Sequence, residues 1–120
     1  MSALTELQTR CKAEITSHWD SCREHGLPHN PVSMKQVVGA FEQFFDAMGR
    51  TSPMTEAAAL AAIKPLYVAL DEINAANDHG LLETDERELL VPFVIDTVAA
   101  VGLDPAAFPN GEPGGEFREF

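Results

Sequence analysis

The chain has 120 residues, 45% hydrophobic and 22% charged, a balance that excludes wholesale disorder and fits a single domain with its own core. Its formal charge of −11 argues against nucleic acid or an anionic membrane as a partner, because both would repel it. The charge is lopsided: residues 1–70 hold seven acids against six lysines and arginines, whereas residues 71–120 hold twelve acids against only Arg87 and Arg118.

The opening, MSALTELQTR, reads as the start of an amphipathic helix and not as an apolar leader with a cleavage site. Leu4, Leu7, Cys11, Ile15, His18 and Cys22 recur at spacings of three and four, with Trp19 alongside, so a helix is predicted over about 3–25. Gly26 is its expected stop, with Pro28 just beyond. The two cysteines lie eleven positions apart on this helix, ~16 Å at the helical rise, which is too far for a disulfide. Reduced thiols and the missing leader together predict a cytoplasmic protein.

A second helix is predicted over about 34–48, capped by Ser33 with Gln36 completing a capping box. Met34, Val37, Val38, Phe41, Phe44, Phe45 and Met48 give its core face. The third, over about 53–77, is capped in this reading by Ser52, with Pro53 at its first position. Between Ala57 and Leu70 its only charge is Lys64, so the helix is expected at the centre of the fold. The apolar run is too short to span a membrane, Lys64 sits in its middle, and Pro65 should kink it. Thr84 is expected to cap a fourth helix over about 85–101, where Asp85, Glu86 and Glu88 face the positive end of the helix dipole. Pro92 is expected to kink it or delay its regular start.

Residues 103–120 hold Pro/Gly-rich sequence that is neither helix nor strand by pattern, yet include Phe108, Phe117 and Phe120, which favour docking on the rest of the chain. The predicted architecture is all-α: an antiparallel four-helix bundle (1–102) with an irregular tail (103–120), as a monomer or a homodimer.

Three constellations carry functional expectations. Asp71, Glu72, Asp78, Glu83, Asp85, Glu86 and Glu88 form an acidic stretch able to dock a basic protein partner, as an adaptor or inhibitor would. His18, Cys22 and His25 project from one helical stripe, with His29 past the stop. Imidazole and thiolate are ligands for zinc or another transition metal, and His29 or an acid from another helix could complete four-fold coordination. Ala75–Glu86 has Gly80 and Glu86 at the sixth and twelfth positions of a calcium loop but lacks the leading acid, so calcium is not expected. There, Gly80 is read as a helix cap.

No Gly-rich phosphate loop, nucleophile elbow or HExxH sequence is present, and no Glu stands three residues before a His, so an enzyme is not expected. No known family is identified by these residues. The first expectation is therefore an acidic protein-binding domain with no cofactor, and the alternative is a bundle that binds a metal or cofactor.

Overall fold

The computed structural model describes residues 2–120. It is all-α, with four helices: α1 (Ala3–Glu24), α2 (Pro31–Arg50), α3 (Glu56–Ala76) and α4 (Thr84–Ala100). No strand occurs among the described residues, and no helix among them is long and apolar enough to cross a membrane.

Each helix begins where a side chain takes up an orphan N–H. Ser2 Oγ accepts from Thr5 N–H at 3.1 Å, and Thr55 Oγ1 from Ala58 N–H at 3.1 Å. The second helix starts earlier than Ser33: Asn30 Oδ1 accepts from Ser33 N–H at 2.8 Å, with Pro31 at the first turn. Asn is as good a cap as Ser, and Pro31 has no N–H to lose at that position. Ser33 is instead buried inside the turn, where its Oγ accepts from Trp19 Nε1–H at 3.1 Å. The third helix starts later than expected, capped by Thr55 and not by Ser52. The fourth is capped by Glu83 in place of Thr84, and Glu86 Oε1 accepts from Glu83 N–H at 3.0 Å.

The middle positions belong to α1, which packs against α2 and α4, and to α2, which packs against α1 and α3; α3 packs against α2 and the C-terminal segment. The expectation of a central third helix is thus corrected. Its apolar character comes largely from alanine, whose small side chain yields little on burial. Ala57 and Ala61 are exposed, and Val68 is 42% exposed, whereas Ile63, Leu66, Tyr67 and Leu70 face the core. Pro65 and Pro92 lie within continuous helices and break neither.

The α1 stripe of Leu7, Cys11, Ile15, Trp19 and Cys22 is buried, with Trp19 and Ile15 fully enclosed. Both cysteines are free thiols. Burial pushes the Cys11 thiol up to about 12, so it stays neutral and packs as a small hydrophobe.

The chain leaves α3 through Asp78 and His79, both in the left-handed region at φ 58°, and Gly80 is not among the positive-φ glycines. Asn77 caps the helix, so Gly80 does not. The buried Asn74 holds this connection: its Oδ1 accepts from Leu81 N–H at 3.1 Å and Leu82 N–H at 2.9 Å.

After α4 the chain makes three short 3₁₀ turns, Pro105–Ala107, Pro109–Gly111 and Gly115–Phe117. Phe108 is 5% exposed, Phe117 packs against the core, and Phe120 meets the fully buried Tyr67 edge-on at 5.8 Å. Gly114 (φ +73°) passes so close to Ile63 that a Cβ there would run into Ile63 Cγ2. Glu119 N–H donates to Asp71 Oδ1 at 3.0 Å, and Arg118 pairs with Glu112. The C-terminal segment therefore covers the face of α3 that carries Ile63, Tyr67 and Asp71.

Candidate metal centre

Three segments converge beside the last turns of α1. His18 and Cys22, four residues apart, share one face of that helix. The helix then ends in a tight reversal: Gly26 adopts φ +80°, Gly26 N–H donates to Arg23 O, and Leu27 N–H donates to Cys22 O at 3.0 Å. The reversal carries the chain back under its own helix, so that His29 packs against Trp19 with ring centroids 4.9 Å apart. Asn74, by gathering Leu81 and Leu82, delivers the first turn of α4 to the same place, and Glu86 enters from there.

One ligand atom from each of His18, Cys22, His29 and Glu86 lies within 4.8 Å of every other. Cys22 Sγ is 3.4 Å from His18 Nε2, and His29 Nε2 is 3.4 Å from Glu86 Oε2. Zn–N and Zn–O bonds of about 2.0–2.1 Å and a Zn–S bond of about 2.3 Å imply tetrahedral edges of roughly 3.3–3.6 Å, so both separations already fit. The third, His18 Nε2–H donating to Glu86 Oε2 at 2.5 Å, is a hydrogen bond. Its proton stands where an ion would enter, and the pair would open by about 1 Å on coordination.

Burial is nearly complete for three of them, with Cys22 8%, His29 3% and Glu86 5% exposed; His18, with 25% of its side chain accessible, is the most open to solvent. Burial pushes the Glu86 carboxyl up, but hydrogen bonds from His18 and Glu83 N–H, with the charges of His29 and His18, outweigh it and leave the group below its usual range. Burial first, then the carboxylates of Glu86 and Asp85, push the Cys22 thiol up. A divalent ion would reverse that: one thiolate and one carboxylate cancel its charge, leaving a neutral buried centre.

His29 is the residue that hydrogen bonding does not explain. Neither ring nitrogen has a hydrogen-bond partner, and the 3.4 Å approach of Nε2 to Glu86 lacks hydrogen-bond geometry. An imidazole always has at least one donor, and leaving a buried polar group unmade costs about 1–3 kcal/mol.

Two expectations are corrected here. His25, placed in the ligand set by spacing, is exposed, and its Nδ1 bonds the Ser21 carbonyl at 2.7 Å. As the capping residue of α1 it has already left the His18–Cys22 face. Glu86, grouped with the surface acids, is buried and turned inward. A signal for this was present: Glu86 lies on the stripe it shares with Leu90, Phe93 and Thr97, all buried. The other acids sit elsewhere. Asp71 is half-buried under Glu119, while Glu72, Asp78, Glu83, Asp85 and Glu88 are exposed. Glu86, at the twelfth position of the Ala75–Glu86 segment, is directed at His18 and His29.

No known protein family, curated protein or solved structure matches the chain.

Proposed function

We propose that this chain is a metal-binding protein: an antiparallel four-helix bundle with a docked Pro/Gly-rich tail that holds one divalent transition-metal ion on His18, Cys22, His29 and Glu86. The observation that carries this reading is His29, 3% exposed and without a hydrogen bond, pointing at a thiol, an imidazole and a carboxylate. A structural hydrogen-bond cluster accounts for the His18–Glu86 pair but leaves His29 unexplained. All four donors come from protein, which suits a held ion better than a catalytic one, since catalytic zinc keeps an open position. A thiolate ligand also needs a reducing compartment, which favours the cytoplasm.

The test is native mass spectrometry on untagged protein supplied with Zn2+. One ion per chain is expected, lost in Cys22→Ser and His29→Ala and retained in His25→Ala. An apo mass for the wild-type chain in excess zinc, or equal zinc content in all three variants, would sink the reading.

A second reading, docking of a basic protein, draws on Glu72, Asp78, Glu83, Asp85 and Glu88. None has a Lys or Arg partner among the described residues, so their field is uncompensated. Capture of a lysine- and arginine-rich peptide at low salt should weaken steeply as ionic strength rises through the Debye regime. Binding indifferent to salt, or none at low salt, removes it.

A further inference from the structure

The four donors do not come from one element. Two are on α1, one is on the connection to α2 and one is on the first turn of α4. What joins the last two pieces is informative. The Gly26–Asn30 connection bonds back to α1 and forward into α2, through Leu27 N–H to Cys22 O and Met34 N–H to Asn30 O, but makes no hydrogen bond to α4 among the described residues. Its approach to α4 is His29 facing Glu86 at 3.4 Å. Glu86 divides its carboxylate: Oε1 accepts from Glu83 N–H and closes the helix start, while Oε2 faces the two imidazoles. A monodentate ligand is therefore available without undoing the cap.

The donor set also narrows the ion. Calcium and magnesium take six or more oxygen ligands, and one carboxylate oxygen cannot supply them. Copper(I) favours sites richer in thiolate and thioether, whereas two imidazoles, one thiolate and one carboxylate suit borderline divalent ions in four-fold geometry. The charge count agrees, because a thiolate and a carboxylate neutralise two positive charges in a site closed on three sides.

Resting on the metal-binding reading, we propose that the centre is a closed, four-coordinate site for a zinc-class divalent ion, and that this ion is what fastens the Gly26–Asn30 connection to the N-terminal turn of α4. It acts as a clamp between segments that the polypeptide leaves unlinked by hydrogen bonds. His18 and Cys22 supply the jaw on α1, and His29 and Glu86 are brought to it.

Two measurements on the untagged full chain test this. Co2+ titration followed by visible absorption should give the intense bands of a four-coordinate ion with a thiolate charge-transfer band. The latter should vanish in Cys22→Ser, whose helicity by circular dichroism serves as the folding control. Amide hydrogen exchange with and without Zn2+ should slow by about tenfold or more in residues 26–34 and 83–88, the local openings the clamp would suppress, and little elsewhere. Glu86→Gln, which keeps an oxygen for the Glu83 N–H, should retain the fold and lose that protection. A weak six-coordinate cobalt spectrum, or bound ion with unchanged exchange in both segments, overturns the clamp while leaving metal binding intact. Failure to take up either ion overturns the metal-binding reading itself.

Discussion

Zinc at about a hundred times its dissociation constant is expected to raise the melting temperature of this chain by about 10 °C. An ion that binds the folded state and leaves on unfolding contributes about 2.7 kcal/mol at that excess. For a domain of this size each kcal/mol is worth roughly 4 °C. The donors are already gathered: three of the four residues are more than nine-tenths buried, and two of the donor separations need no adjustment. Little of the binding energy of an ion would therefore be spent on assembling the site. Cys22→Ser should abolish most of the shift with little change in the metal-free melting temperature, because a buried hydroxyl of similar size replaces a neutral thiol. Glu86→Gln should abolish it too, and should cost the metal-free protein about 1–2 kcal/mol by weakening the bond from His18. Magnesium should do nothing, and a chelator should reverse the zinc effect. Differential scanning calorimetry reads all of these, and a wild-type melting temperature unmoved by zinc would contradict the whole account.

The second large effect lies outside the ligand set. Asn74→Leu is expected to destabilise the metal-free protein by about 3 kcal/mol, because it orphans two buried N–H groups at about 1–3 kcal/mol each. Asn74 is 6% exposed, and its Oδ1 is the acceptor that both Leu81 and Leu82 use. Those two leucines are core residues, so the connection has no easy route to water as a replacement. Asn74→Asp preserves the acceptor and should cost less than Asn74→Leu. Because the same connection delivers Glu86, Asn74→Leu should also weaken zinc binding by about 10–100-fold, as loss of a supporting residue around a metal commonly does. Urea unfolding and zinc titration measure the two effects separately; a loss below about 1 kcal/mol would show that the connection is held by packing alone.

How much of this was legible depended on the range of the interactions. The α1 stripe, its stop at Gly26 and the His/Cys face were readable, because helical spacing and a C-terminal glycine are local signals. The placement of His25 failed for an equally local reason: spacing alone does not say on which turn the helix lets go, and the cap residue folds back on Ser21. Helix starts were ambiguous where two capping residues lay within three positions, as with Asn30 and Ser33 or Ser52 and Thr55; Pro31 settles the first pair, since it fits best at the opening turn. The burial of Glu86 had a local signal in the stripe it shares with Leu90, Phe93 and Thr97, but its role did not, because an acid in a first turn satisfies the dipole rule on its own and the groups it meets lie 57 or more positions away. Asn74 was likewise invisible, since an amide near a helix end reads as fraying polarity until its two N–H partners are known. The alanine-rich third helix misled in the opposite sense, being apolar by count but not by area.

The partial exposure of His18 bears on rate as well as on affinity. With Cys22, His29 and Glu86 enclosed, His18 is the donor an arriving ion meets first and the one that can swing away without unpacking the core. Side-chain rotation of an exposed residue takes picoseconds to nanoseconds, whereas moving the His29 connection requires a local opening that is far slower. Exchange with an external chelator is thus expected to pass through a three-donor intermediate with His18 released. Crowding or freeing His18 should then change the off-rate measured by stopped-flow competition more than Kd, so that the lifetime of a bound ion would be set at one edge of the site.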